Sequence, residues 1–269
     1  MTPERFEKLV NTLDSRQPDL TLLTEQIHKP RNIAALVRTS DAVGIHELHM
    51  VWPWDKHRPY SGTAMGSDRW VDIVRHESMS DGISTLRSRG YKVYAAHLSS
   101  SSIDYREVDF TQPCALLMGN EKRGVSEDTL AQVDEHITIP MEGMVESFNV
   151  SVAAAIILSE AHRQRQQAGL YDKRRLDASV YRDTFFRWAH PKVAQYCHDK
   201  GLDYPEVSQE DGEIIDPSGW YASVRLQRET APQDQKKGSV SDDTHTGSRK
   251  VDGLQLDKRE PQTISKKLV

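Results

Sequence analysis

Five residues with apolar side chains, Cys114-Ala115-Leu116-Leu117-Met118, run without interruption into Gly119. A strand wetted on one face alternates apolar with polar residues, so a short unbroken run belongs to a strand covered on both faces. Helices have to supply that cover, and segments of helical period do alternate with strand-like ones. Leu20–Leu23, Glu47–Trp52, Trp70–Val74, Tyr91–Ala96 and His136–Ile139 read as further strands. Between them, Asn32–Val43 (closed by Gly44), Met79–Arg89 (closed by Gly90), Ser126–Val133 and the stripe Val150, Ala153, Ala154, Ile157, Leu158, Ala161 read as helices. A polar loop is expected over Trp54–Ser67. This order predicts an α/β fold of about 160 residues, a parallel sheet with helices on both faces.

The flanks differ from this core. Phe6, Leu9, Val10 and Leu13 predict a short amphipathic helix before the first strand. Leu176–Arg228 predicts helices at Tyr181–Trp188 and Val193–Lys200, then a stretch broken by Gly201, Pro205 and Pro217, the whole packing on the core as an extension. Glu229–Val269 has no aromatic residue and carries eight Lys+Arg against seven Asp+Glu. That composition cannot offset the entropy of ordering, so a disordered tail is expected. The expected division is a helical extension over 1–17, a core over 18–168, a C-terminal extension over 169–228 contributing to ligand binding and a disordered tail over 229–269.

Charge and cysteine usage exclude several classes of function. The formal net charge of -5 argues against a generically basic nucleic-acid coat but leaves room for a local basic face. Cys114 and Cys197 have no CxxC partner or metal-ligand spacing, so neither a metal site nor a disulfide framework is expected. No run reaches the roughly 18 apolar residues of a membrane helix. Met1-Thr2-Pro3-Glu4-Arg5-Phe6-Glu7 contains no apolar signal core, which makes a reducing cytoplasm the expected compartment.

Ligands of open parallel sheets bind outside the carboxyl ends of the strands. Three segments are candidates for that edge: Lys29-Pro30-Arg31-Asn32 with the helix carrying Arg38, Met118–Gly124, and Ile139–Ser151. The second matches neither GxxxxGK[ST] nor GxGxxG and is explained equally well as a tight strand-to-helix turn. Ser147 stands where an N-cap is expected, and Asn149 where a first-turn residue would be.

Taken together, Asn32-x5-Arg38, Gly119-Asn120-Glu121-Lys122-Arg123-Gly124, and Ile139-Pro140-Met141 followed by Ser147-Phe148-Asn149-Val150-Ser151 resemble the three ordered motifs of the SpoU/TrmH group of RNA ribose methyltransferases, in the SPOUT superfamily. The resemblance spans about residues 18–168. The N-terminal helix and Gly201-Leu202-Asp203-Tyr204-Pro205 are similar to the branch that methylates guanosine 18 of tRNA.

The resemblance implies a C-terminal trefoil knot, S-adenosyl-L-methionine as cofactor, a homodimer and tRNA as partner. It matches Arg38 to the residue assigned to activating the ribose 2'-hydroxyl, with Asn32, Ser147 and Asn149 around it, and makes Glu121 a structural acid holding Arg38 or the neighbouring loop. Cofactor contacts are expected near Leu117, Gly119, Ile139, Met144, Ser147 and Phe148, the last departing from the leucine usual in the family. Two readings are open for Arg38: transient deprotonation, or a permanent cation that clamps phosphate while phosphate or water takes the proton. RNA contacts are expected from Arg31, Arg163, Arg165, Arg174 and Arg175, with Arg5 and Arg16 nearby. A related enzyme acting on ribosomal RNA or another tRNA position, and a non-catalytic knotted RNA-binding protein, are the competing expectations.

Overall fold

In the computed structural model, residues 1–52 and 69–230 are described, with the backbone alone over 226–230. The expected Trp54–Ser67 loop and nearly all of the expected tail lie outside the described residues. The elements are α1 (Pro3–Asp14), β1 (Leu20–Glu25), α2 (Pro30–Ala42), β2 (Glu47–Val51), β3 (Asp72–His76), α3 (Met79–Ser88), β4 (Lys92–Ala96), β5 (Ile103–Asp104), β6 (Cys114–Met118), α4 (Glu127–Leu130), β7 (Glu135–Thr138), α5 (Val150–Gln167), α6 (Ala178–Ala189), α7 (Pro191–Lys200) and α8 (Pro217–Thr230). Residues Met1–Trp220 form one compact unit. A second begins at Tyr221, and its described part is the remainder of α8.

The seven strands stand in the order β3-β2-β1-β6-β4-β7-β5, and every pairing is parallel. The apolar run is β6, at the centre. Cys114, Leu116 and Met118 pack with Ile33, Leu36 and Val37 of α2 and Ile157, Leu158 and Ala161 of α5. Ala115 and Leu117 point the other way, toward Ile83 and Leu86 of α3 and Leu130 of α4. Both faces are therefore covered. From β1 the chain moves out through β2 and β3, whereas β6 flanks β1 on its other side. The carboxyl ends of β1 and β6 thus meet where the winding reverses, the place at which such sheets bind ligands.

Three element expectations change. Trp70 begins no strand; β3 starts at Asp72, and the indole packs edge-on against Trp188 at 5.2 Å. The helix expected over Ser126–Val133 shortens to Glu127–Leu130. Pro217, read as a breaker, opens α8 instead, as proline can in a first turn whose N–H has no helical acceptor.

The extension sits at the amino-terminal edge of the sheet. Arg187 of α6 grips Asp72, at the start of β3, through two hydrogen bonds of 2.9 and 2.8 Å. Arg175 does the same to Asp19, just before β1, at 2.7 Å for each oxygen. Leu9 and Leu13 of α1 meet Phe185 and Trp188 of α6 in a separate small core.

Two arginines expected to face RNA are core residues here. Arg165 is fully buried. It donates to the carbonyls of Phe110, Asp19 and Gln112, to Gln17 Oε1 and, at 2.6 Å, to Asp19 Oδ1. Its guanidinium has no face left for phosphate. Arg16 is equally buried, spent on Asp41, the Ile45 and Trp70 carbonyls and the ring of Trp188. The reason for Arg165 lies in the helix period: it stands four residues after Ala161, on the apolar stripe of α5, while Arg163 points to water.

Candidate active site

The chain leaves β1 at Glu25 and turns at Gln26, whose φ of 49° lies in the left-handed region. α2 then starts at Pro30 with Lys29 as its N-cap, and no side chain of its own caps it. Glu121, from the turn after β6, supplies the acceptors. Its Oε2 accepts from the His28 N–H at 3.0 Å, and its Oε1 from the Lys29 N–H and Asn32 Nδ2, each at 2.9 Å. Burial pushes the Glu121 carboxyl up, yet the His28, Lys29 and Asn32 donors outweigh it, and its pKa lies below the usual carboxylate value.

Asn32 is buried and carries the network onward. Its Oδ1 accepts from Asn149 Nδ2 at 3.3 Å. Asn149 Oδ1 in turn accepts from the backbone N–H and hydroxyl of Ser151, which makes Asn149, rather than Ser147, the N-cap of α5. Asn32, Glu121 and Asn149 are thereby joined, one residue from each of the three motifs.

The turn after β6 is closed by paired backbone bonds between Asn120 and Gly124 at 2.8 and 2.9 Å. A Cβ on Gly119 would lie 2.3 Å from the Gly124 carbonyl carbon, so the closeness of the turn itself demands glycine there. Asn120 braces the same turn: its Oδ1 accepts from the Lys122 N–H, and its Nδ2 donates to the Gln26 carbonyl at 2.7 Å.

Around this centre the other expected residues are distributed unevenly. Arg31 and Arg38 are both exposed on α2. Seven residues apart, they share one face, with Arg38 about 9 Å along the axis beyond Asn32. Met144 is wholly exposed, as are Ser147 and Phe148 to lesser degrees. The side chain of Leu117 is fully buried toward α3 and α4, which leaves only its backbone for the edge. Ile139 packs partly against the core.

Arg163 is exposed and bonded to Glu160 and Gln167. Arg174 is paired with Asp14 and lies 3.6 Å over the ring of Tyr181. Arg174 and Arg175 both belong to the amino edge, about 20 Å from the network by the length of a six-residue strand.

Sequence reasoning missed two contributors. Glu25, buried at the end of β1, accepts from the backbone and hydroxyl of Ser126 and from the hydroxyl of Thr129. Strand order also places the carboxyl end of β4 between those of β6 and β7, putting the exposed Leu98 on the same edge. Strand order was the signal for Leu98, and it is not written in local sequence. An adenosine needs apolar surface beside backbone donors and acceptors, and this edge offers Leu98, Met144 and Phe148 next to three strand ends. Among the described residues no cluster of three His, Cys, Asp or Glu is set to hold a metal ion, and no helix is long and apolar enough to cross a membrane.

Comparison with known proteins adds a family. The family model described as SpoU rRNA Methylase family matches residues 19–159, and that of its C-terminal region matches 163–217. A tRNA (guanosine(18)-2'-O)-methyltransferase of Escherichia coli K12 is 44% identical over 227 residues, 84% of this chain and 99% of that protein. The crystal structure of the Aquifex aeolicus TrmH/SpoU tRNA modifying enzyme is 37% identical, with a TM-score of 0.66 over 71% of this chain and 97% of that one. An AdoMet-bound rRNA methyltransferase from Sinorhizobium meliloti is 30% identical, with a TM-score of 0.50 over 57% and 59%.

Proposed function

Because this chain belongs to the SpoU methylase family, we propose that it transfers a methyl group from S-adenosyl-L-methionine to the ribose 2'-hydroxyl of guanosine 18 in the tRNA D-loop. The observation that carries this reading is the Asn32–Glu121–Asn149 network, which ties three strand-end motifs into one site at the switch point of the sheet. A ribosomal RNA substrate has less support, because the likeness to the Sinorhizobium meliloti enzyme covers 59% of that chain against 99% of the Escherichia coli tRNA enzyme.

When bound, S-adenosyl-L-methionine supplies an electrophilic methyl group. The backbone at Leu117, Gly119 and Ile139 would hold it, with Met144, Phe148 and Leu98 as apolar lining and the Ser147 hydroxyl beside them. Asn32 and Asn149 fix the floor on which the ribose sits, and Glu121 holds that floor against α2. Arg38 remains a cation, because a guanidinium does not lose its proton in proteins. It clamps the adjoining RNA phosphate together with Arg31 and stabilises the oxygen as negative charge develops on it, while phosphate or water accepts the proton.

The site lies on an unusually apolar surface for a lone chain. Met144, Val145, Phe148 and Val152 are all exposed at the start of α5, and a second copy of this chain covers them in the homodimer we propose. The C-terminal trefoil knot belongs to the same reading, as does a division with a helical extension over 1–17 and a C-terminal extension over 169–228 that contributes to RNA binding. Two free, buried cysteines suit a reducing cytoplasm, where tRNA is found.

The test is incubation with methyl-labelled cofactor and an unmodified tRNA transcript, followed by nuclease mapping. Label confined to guanosine 18 supports the assignment. Label at another nucleotide refutes the substrate while keeping the reaction, and absence of label with bound cofactor refutes the reaction.

A further inference from the structure

We propose that Glu25 is a positioning residue for the loop that holds the methyl donor, acting across the sheet by capping α4 from β1. The inference rests on the cofactor reading above and deepens it. In α2 and α4 alike, the N-cap side chain accepts from no backbone N–H of its own first turn, although the Ser126 hydroxyl reaches the Thr129 hydroxyl. Each is served instead by a glutamate from the loop of the other. Glu121, after β6, caps α2 through the His28 and Lys29 N–H groups. Glu25, ending β1, takes the Ser126 N–H at 3.1 Å, the Ser126 hydroxyl at 2.6 Å and the Thr129 hydroxyl at 3.2 Å.

The two carboxylates thus cross between adjacent strand ends at the switch point. Glu121 faces the ribose side, through Asn32. Glu25 faces the cofactor side, because the segment it anchors is Gly119–Ser126. That segment leaves β6 at Met118, and its far end is set where Ser126 meets Glu25. A carboxylate accepts from all three groups at once. Glutamine would set its NH2 against the Ser126 N–H or force both hydroxyls to reverse and accept, and aspartate would fall short by about 1.5 Å, one carbon–carbon bond. Glu25 is 8% exposed, so water cannot readily replace the lost acceptor.

The experiment uses the full chain. Calorimetry with S-adenosyl-L-methionine alone and filter binding with a tRNA transcript are run on wild type, Glu25→Gln, Glu25→Asp, Ser126→Ala and Asp19→Asn. The last is a control for general destabilisation, since it weakens the amino edge. Glu25→Gln is expected to weaken cofactor binding about tenfold or more, with tRNA affinity within about twofold of wild type. Glu25→Asp and Ser126→Ala should fall between these, while Asp19→Asn lowers the melting temperature and leaves cofactor affinity unchanged.

Cofactor affinity equal to wild type in Glu25→Gln overturns the inference, as does a loss no greater than that of Asp19→Asn. Should Glu25→Gln not fold, Ser126→Ala decides: unchanged cofactor binding refutes the positioning role. Wild type that does not bind cofactor refutes the reading of the site itself, a separate outcome.

Discussion

The two edges of the sheet use arginine and carboxylate in opposite ways. At the amino edge, Arg16 and Arg165 are fully buried and surrounded by fixed acceptors, with Asp19 shared between Arg165 and Arg175. At the carboxyl edge Arg31 is exposed at the start of α2, with Arg38 exposed two turns further along, and the carboxylates Glu25 and Glu121 are spent on backbone N–H groups, hydroxyls and an amide. The first arrangement joins the extension to the core and leaves Arg16 and Arg165 no face for a ligand. The second holds loops in place while leaving positive charge for an anionic substrate. Residue type is the same at both edges, and burial decides which becomes a fastener and which faces solvent.

The largest effect should come from the fastener. Arg165→Met strands several buried acceptors and is expected to cost about 3–5 kcal/mol, since breaking a buried pair leaves its partner groups uncompensated. At about 2–4 °C per kcal/mol for a chain of this size, thermal unfolding should shift down by about 10 °C. The same protein, assayed below its new melting temperature, should bind tRNA as wild type does. Reduced RNA affinity in folded Arg165→Met would return this arginine to the substrate surface.

Next comes Arg38. Arg38→Ala should lower single-turnover methyl transfer by about 10²–10³-fold, the usual size of a lost charge-stabilising donor. Its melting temperature should stay within a degree or so of wild type, because the side chain is exposed. Near-normal turnover in Arg38→Lys would remove any role for the forked guanidinium and leave only its charge.

How the edges differ was partly legible in the chain. The unbroken Cys114–Met118 run placed a doubly covered strand correctly because burial on both faces leaves its mark on every residue of the strand. Glu121 was identifiable because it lies inside a compact motif. Arg165 was misassigned although its position, four residues after Ala161, put it on the stripe that faces inward; cationic character was given more weight than helix period. Glu25 left no local signal, since its partner Ser126 is 101 residues further along the chain. Trp70 has a β-favouring side chain, but its packing against Trp188 keeps it out of the strand.

Acid titration gives a smaller contrast at the carboxyl edge. Glu121 has a folded pKa below its usual 4.5. Its hold on α2 is therefore complete above that ordinary value and is lost as pH falls through the lower folded one. Amide exchange at His28 and Lys29, followed by NMR, should show protection persisting below pH 4.5. A midpoint at or above 4.5 would mean that the carboxylate is not held as described.

The smallest change is expected from Arg163, exposed two residues from buried Arg165. Arg163→Ala should alter stability by no more than about 0.5 kcal/mol. If this arginine contacts phosphate, the dependence of tRNA binding on salt should lessen by about one counterion. An unchanged salt slope would exclude Arg163 from the RNA surface.

The most direct test concerns the acceptor atom. A tRNA carrying 2'-deoxyguanosine at position 18 is compared with the ordinary transcript in a single-turnover assay with labelled S-adenosyl-L-methionine. The account predicts equal RNA and cofactor binding and no methyl transfer to the deoxy substrate. Label entering the deoxy tRNA would contradict ribose 2'-hydroxyl methylation at guanosine 18, and with it the role given to the carboxyl edge.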